Sequence, residues 1–506
     1  MALVSVNFFL IFTGLVIVYF TIPKKLQWII LLIFSYIFYS LISKQLPFFL
    51  LISTAVTYCS AVLMEKMKPY KKPICIASIV FIIGMLAVFK YSNQIISVIA
   101  QRIPSFGGGW DSEKFSLLIP LGISFYSFQS LGYILDVYRK KVKPEKNFFK
   151  TALFISFFPQ IIEGPIGRFD VLSPQLYSEH RFSFERLKIN VFLLLWGLIK
   201  KLVIADNLAP MITEIRDNYS DYSGFQILIS ILFFGLQLYA DFSGYMDIVT
   251  GLSGILGIEI AQNFKRPYFS VNVTEFWRRW HISLCSWFRD YVFYSIFMSK
   301  RLTKLSKKLR KSGYKKTAKK LPIYISTLIV WFLTGLWHAA NGPEIIWGLI
   351  NGLIMICALQ FKTFYEKINN CLHISNDSKA VYFFRIIRTF ILMTVLNYIS
   401  EFASIREVGN VFSRMMTKFT PILLSLSYFF PKLIDAGLAT LAVVLIFCFL
   451  LIAFDFYEEK HGSVIKLISK KSWIFQIVLL IVTIFIVGVF GNVVSNSVGG
   501  FMYAQY

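Results

Sequence analysis

The chain carries five histidines, and two of them stand in aromatic, apolar surroundings. His338 closes Val330-Trp-Phe-Leu-Thr-Gly-Leu-Trp337-His338 and is followed by Ala-Ala-Asn341-Gly-Pro-Glu344. An ionisable group at the end of a long apolar run is costly, which points to function. The plainer alternative is an interfacial histidine beside a belt tryptophan. His281 lies within Asn272–Tyr291, a stretch with three tryptophans and three arginines. His180, His373 and His461 sit among charges in polar loops and read as solvated. Two histidines with no carboxylate cluster and no third ligand make a poor metal site, so no metal is expected. They suit general-base work better, because a neutral imidazole whose pKa is lowered by burial can take a proton from a hydroxyl. Nothing resembles a serine-hydrolase elbow or a phosphate loop.

The elements that must hold these residues are legible in outline. Asn272 with Glu275 three residues on predicts a helix start of the capping-box kind. A continuous helix from there puts Trp277, His281, Leu284 and Phe288 on one face and turns Arg278 and Arg279 elsewhere. Such a helix is too polar to span a bilayer and is expected to lie in its interface. Arg289–Asp290 reads as a buried pair fixing that helix. Three stretches fit poorly as simple spans: 151–169, 241–258 and 405–433. Proline and glycine there, beside Glu163, Arg168, Asp241 and Asp247, predict re-entrant or broken helices, tolerated only against protein or a water-filled cavity. Asp241 and Asp247 are expected to pin such a break through backbone hydrogen bonds.

The whole chain is 56% hydrophobic with mean hydropathy +0.64, far from a soluble average. Apolar runs near the spanning length recur at 5–22, 27–43, 47–64, 74–89, 115–135, 188–207, 224–240, 322–340, 344–360, 381–400, 434–456 and 472–495. The fold expected is an all-α polytopic membrane protein in one integral membrane domain. Residues 1–114 and 361–506 supply flanking spans and 115–360 the core. The net charge of +25 sits mostly in loops between apolar runs, as the positive-inside rule requires, and no nucleic-acid partner is expected. Basic clusters after the first, third and fifth runs fall on one side, the cytoplasm, with the N-terminus outside. The strongest block, Lys300–Lys320, holds no acid and reads as a cytoplasmic loop or surface helix touching anionic lipid, with a donor-phosphate contact as the alternative. The six cysteines are scattered without a CxxC, so neither a disulfide framework nor a zinc site is indicated. The N-terminus lacks a basic n-region and a cleavage site, so the first run is expected to be kept as a span.

Glu275-Phe-Trp-Arg-Arg-Trp-His281-Ile-Ser-Leu, Trp287-Phe-Arg-Asp-Tyr291 and Gly335-Leu-Trp-His338 closely resemble the membrane-bound O-acyltransferase (MBOAT) family. Tyr239-Ala-Asp-Phe-Ser-Gly-Tyr-Met-Asp247, Asn263-Phe-Lys-Arg-Pro-Tyr268, Gly164-Pro-Ile-Gly-Arg-Phe169 and Phe501-Met-Tyr-Ala-Gln-Tyr506 resemble its bacterial branch. The alginate-acetylating members look nearest and the D-alanylating members of teichoic acid modification more distant. One departure is Asn351 in Trp347-Gly-Leu-Ile-Asn-Gly, where alginate-type members often carry a second histidine. The resemblance implies a multi-pass bacterial plasma-membrane enzyme with re-entrant and in-plane helices around a tunnel, and His338 deep inside it. It implies acetyl-CoA or a similar thioester as donor substrate, no tightly bound cofactor, and an extracytoplasmic acetyl-accepting partner protein and polysaccharide. The D-alanyl alternative implies a cytoplasmic acyl carrier instead. On this reading His338 is the base and His281 the residue that orients the thioester. Trp280, Trp337 and Asn341 are candidate walls, with plain packing as the alternative, and Arg278 and Arg279 are candidate contacts for donor phosphates or for lipid headgroups. A transporter or flippase using the same cavity is the non-enzymatic rival.

Overall fold

Apolar runs of spanning length have no water to satisfy their backbone, so each must close its hydrogen bonds within itself as a helix. The computed structural model follows that rule. It describes residues 3–43, 47–102, 120–371, 373–375, 378–419 and 437–492, and no strand occurs among them. Within the described residues, each expected span lies largely on helix. Nine helices of the described residues are long and apolar enough to cross a membrane, the longest being Gly224–Leu256 and the last Trp473–Phe490. Val6–Thr21 is apolar but shorter. The runs at 115–135 and 188–207 give Ile123–Tyr138 and Phe184–Leu198, the latter continued by a π turn at Ile199–Ala205.

The described residues form two compact units, one chiefly Met1–Leu194 with Asp247–Ala261, the other Leu195–Met246 with Gln262–Val494. In the first unit the expected irregular stretch is present. Helix Phe148–Ser156 stops, and residues 157–167 continue buried without regular helix. Its backbone is served locally: Phe158 N–H donates to Ser35 Oγ at 3.1 Å, and Gln160 Nε2 to the Pro165 carbonyl at 2.8 Å. Irregular backbone is here packed against protein, the condition under which it is tolerated.

The expected break at 241–258 is absent. Gly224–Leu256 is one helix of 33 residues. Its glycines serve close approach: a Cβ on Gly244 would press on the Gly197 carbonyl and the Lys200 side chain. For the stretch 405–433, Ile405–Thr417 is helical, while Pro421 and Pro431 lie outside the described residues, as does the 501–506 motif.

In the second unit Lys315–His338 and Gly342–Gln360 form a tight helical hairpin. Two glycines make it possible. A Cβ on Gly335 would overlap the Glu344 carbonyl, and one on Gly348 the Trp331 carbonyl. Asn341 starts the return helix by accepting the Glu344 N–H at 2.9 Å, so it is an N-cap.

Candidate active site

The helix expected over Asn272–Tyr291 begins as predicted and then breaks. Asn272 Oδ1 accepts the Glu275 N–H at 2.9 Å, and Glu275 Oε2 accepts from Val271 N–H at 3.1 Å. The reciprocal box therefore closes one residue earlier than the sequence pattern indicates. The first helix runs only from Val273 to Arg279. A second, Ile282–Trp287, follows, and between them His281 stands at φ 44°, ψ 51°. That left-handed conformation is uncommon for a residue with a Cβ, and its persistence means the surroundings over-determine it. The determinant is Asn263. Its carbonyl accepts the Ile282 N–H at 3.0 Å, its side-chain oxygen accepts the Ser283 N–H at 3.0 Å, and its amide reaches Met246 Sδ at 3.1 Å. A single buried asparagine thus satisfies the first two N–H groups after the break.

The break re-aims His281, so Trp277, His281, Leu284 and Phe288 do not share a face of one helix. The imidazole is 2% exposed and meets Phe242 edge-on at 4.9 Å between ring centroids. Burial pushes its pKa down to about 3, so it is neutral at physiological pH.

His338 is buried at the last position of its span. Its ring packs at 4.8 Å from Trp337 and 5.0 Å from Trp347, both edge-to-face. Trp347 in turn meets Trp277 and Trp331, which lie 4.7 Å from each other. Asn351 is fully buried in this cluster. Its oxygen accepts the Trp277 indole N–H at 3.0 Å and its amide donates to the Trp347 carbonyl at 2.9 Å. Trp347 Nε1 donates to Asn397 Oδ1 at 3.1 Å. The position that departs from the family pattern therefore carries hydrogen bonds among tryptophans.

The two histidines are joined by rings in contact. From His281 the path runs through Phe242, Trp280, Phe276, Trp277 and Trp347 to His338. Trp280 is buried and packs against Tyr239, Phe264 and Tyr268 as well.

The charged candidates are placed differently from one another. Arg279 is held by carboxylates, Glu275 Oε1 at 2.6 Å and Glu459 Oε1 at 2.9 Å. Arg278 is exposed. Arg289 and Asp290 do pair, at 2.9 Å, but their side chains are 59% and 37% exposed. The expected buried pair is a surface contact, since sequence neighbours in a π turn meet beside solvent. Asp241 pins no break. It accepts from Lys201 at 2.6 Å, and the same ammonium meets Asp206 at 2.8 Å, all three buried.

Sequence reasoning missed Asn263, Glu459 and Lys201. Asn263 was visible only as part of a motif, and nothing local says that it clasps a histidine turn. Glu459 lies 180 residues from Arg279. Lys200 and Lys201 did leave a signal, two lysines inside an apolar run.

A helical chain with this many apolar spans is a polytopic membrane protein. The model of the membrane-bound O-acyltransferase family matches residues 145–400, and the chain belongs to that family. It is similar to the probable alginate O-acetylase AlgI of Azotobacter vinelandii, 36% identical over 53% of this chain and 50% of that protein. It is 29% identical to the peptidoglycan O-acetyltransferase of Helicobacter pylori, over 65% of this chain and 63% of that one. The teichoic acid D-alanyltransferase of Bacillus subtilis is 28% identical over 50% and 61%. The matches thus span half to under two-thirds of these relatives' length.

Proposed function

We propose that the protein is a membrane O-acyltransferase that moves an acetyl group from a cytoplasmic thioester, acetyl-CoA, towards an extracytoplasmic polysaccharide through a partner protein in the bacterial plasma membrane. The observation that carries this reading is His338, an imidazole buried among tryptophans at the end of a spanning helix. Relatives named as O-acetylases of alginate and of peptidoglycan support the acetyl group and the polymer.

His338 takes the proton of the acceptor hydroxyl as its oxygen attacks the thioester carbonyl. The carbon–sulfur bond breaks, an ester bond forms, and the proton passes to the departing thiolate. His281 is a weak base, with its pKa near 3. A base works best with a pKa near the operating pH, so His281 is assigned to positioning the thioester by a hydrogen bond, a preorganised electrostatic role. Arg279 is engaged with two glutamates, so exposed Arg278 is the better donor-phosphate contact. Trp280 and Asn341 act by packing and by capping, and Trp337 walls His338.

The test is release of free thiol from labelled acetyl-CoA by the full chain in nanodiscs, with and without the partner, beside His338→Ala. Loss of a positioned base costs about 10²–10⁴ in rate. Unchanged turnover in the variant removes His338 as the base. Substrate movement with no ester formed supports the transporter reading. The D-alanyltransferase relative supports a second donor, a D-alanyl group on a carrier protein, and turnover with that donor alone selects it.

A further inference from the structure

A second buried amide belongs to the surroundings of His338. Asn397 lies near the end of the Lys379–Tyr398 helix and is 4% exposed. Its side-chain oxygen accepts the Trp347 indole N–H at 3.1 Å, and Trp347 is the ring that meets the His338 imidazole at 5.0 Å. An indole N–H only donates, so the oxygen of the amide is the atom that must face it. The amide nitrogen, Nδ2, is thereby turned away from the indole. The backbone beneath it is anchored as well, because Ser400 Oγ donates to the Asn397 carbonyl at 2.6 Å and closes the helix end.

Asn351 shows what a structural amide does in the same cluster. It engages both ends, the oxygen with the Trp277 indole and the nitrogen with the Trp347 carbonyl. Asn397 engages its oxygen alone. Among the described residues its Nδ2 donates no hydrogen bond. A buried donor left in that state is costly and calls for an explanation.

Acyl transfer offers the missing acceptor. Negative charge develops on the thioester carbonyl oxygen as the hydroxyl attacks, and fixed donors in a dry site stabilise it strongly. Along the path of ring contacts five rings lie between His281 and His338. Asn397 and His338, by contrast, meet the same indole. We propose that the Asn397 amide donates to the carbonyl oxygen of the acyl thioester and stabilises the oxyanion formed there. This role rests on the reading of His338 as the base of an acyltransferase. As the new carbon–oxygen bond forms, the carbonyl π pair moves onto the oxygen facing Nδ2. It returns when the carbon–sulfur bond breaks, and the proton held by His338 goes to the departing thiolate.

The test is steady-state release of thiol from acetyl-CoA by the full chain in nanodiscs, with the partner present. Asn397→Asp keeps an acceptor for the Trp347 indole and removes the donors. It is expected to lower kcat by about 10²–10³, the worth of one oxyanion donor, and to leave KM nearly unchanged, since the charge exists only in the transition state. Asn397→Leu removes donor and acceptor alike, and should show the same loss of kcat together with a lower melting temperature. If the aspartate variant does not fold, Trp347→Phe takes its place. It keeps a ring beside His338 but lets the amide turn, and should lower kcat at constant KM. Wild-type kcat in folded Asn397→Asp or Trp347→Phe overturns the proposal. So does a loss confined to KM, or one that only follows the amount of folded protein. An inactive wild type removes the acyltransferase reading and this role together, whereas active wild type beside equally active Asn397→Asp removes the amide's role alone.

Discussion

At the scale of single residues, the two histidines differ in what their surroundings ask of them. His281 is neutral because it is buried, and its folded pKa lies below its unfolded value near 6.5. Between those two values the unfolded chain binds more protons than the folded one, so stability rises with pH. The stability present above about pH 6.5 is therefore lost as pH falls towards 3. His281→Asn, which tolerates the left-handed backbone, should flatten the fall in melting temperature between about pH 6.5 and pH 4. Thermal denaturation in detergent across that range checks it. An equally steep fall in the variant assigns the pH response to other groups. That His281 stands among aromatic rings was legible, since it lies in a run rich in tryptophan and phenylalanine. That it sits at φ 44° was not, because no local pattern announces a left-handed turn at a non-glycine residue. Asn351 teaches the complementary lesson. Its departure from the family pattern was visible, but its bonds to Trp277 and Trp347 required the fold. Asn351→Leu strands a buried indole N–H and should cost about 1–3 kcal/mol, read as a lowered melting temperature with His338 still present.

Among elements, the hairpin Lys315–His338/Gly342–Gln360 does the positioning. Its two apolar runs are legible in hydropathy, whereas Asn341 reads in the sequence as a wall residue and is in fact the cap of the return helix. The close approach at Gly335 and Gly348 was readable only as composition, because a glycine's neighbour across a hairpin is set by helix phase and loop length. Gly348→Ala pushes against the Trp331 carbonyl and should destabilise by about 1–3 kcal/mol, as overpacking does. Because Gly335 lies one turn before His338, on the proposed function Gly335→Ala should also lower acyl transfer more than it lowers the amount of folded protein. Activity normalised to folded protein separates the two effects, and a proportional loss of both denies the hairpin a positioning role. The same reasoning explains the missed continuity of Gly224–Leu256. Its glycines look like breaks in sequence but face neighbouring helices in space.

For the molecule as a whole, buried charge is what ties distant segments. Lys201 sits between Asp206 and Asp241, and losing it leaves two buried carboxylates without their cation. Lys201→Met should cost about 3–5 kcal/mol, whereas Lys201→Met with Asp206→Asn and Asp241→Asn should recover most of it. Comparison of melting temperatures decides, and a triple variant no better than the single one shows that the trio is not acting as a unit. The polytopic helical architecture was legible from apolar runs and basic loops; the pairings were not, because Asp241 is 40 residues from its lysine. Glu459 carries the matter furthest. It grips Arg266 at 2.7 Å and Arg279 at 2.9 Å, while Asp455 takes the Tyr239 hydroxyl and Asn207 reaches the Phe490 carbonyl. Each of those partners on the near side falls within the family-matched residues 145–400, and each on the far side falls beyond them. The homologous segment is thus not a portable cassette. A chimera that transplants it into a relative must bring the Leu438–His461 helix along, or Arg266 and Arg279 lose Glu459, the carboxylate they share.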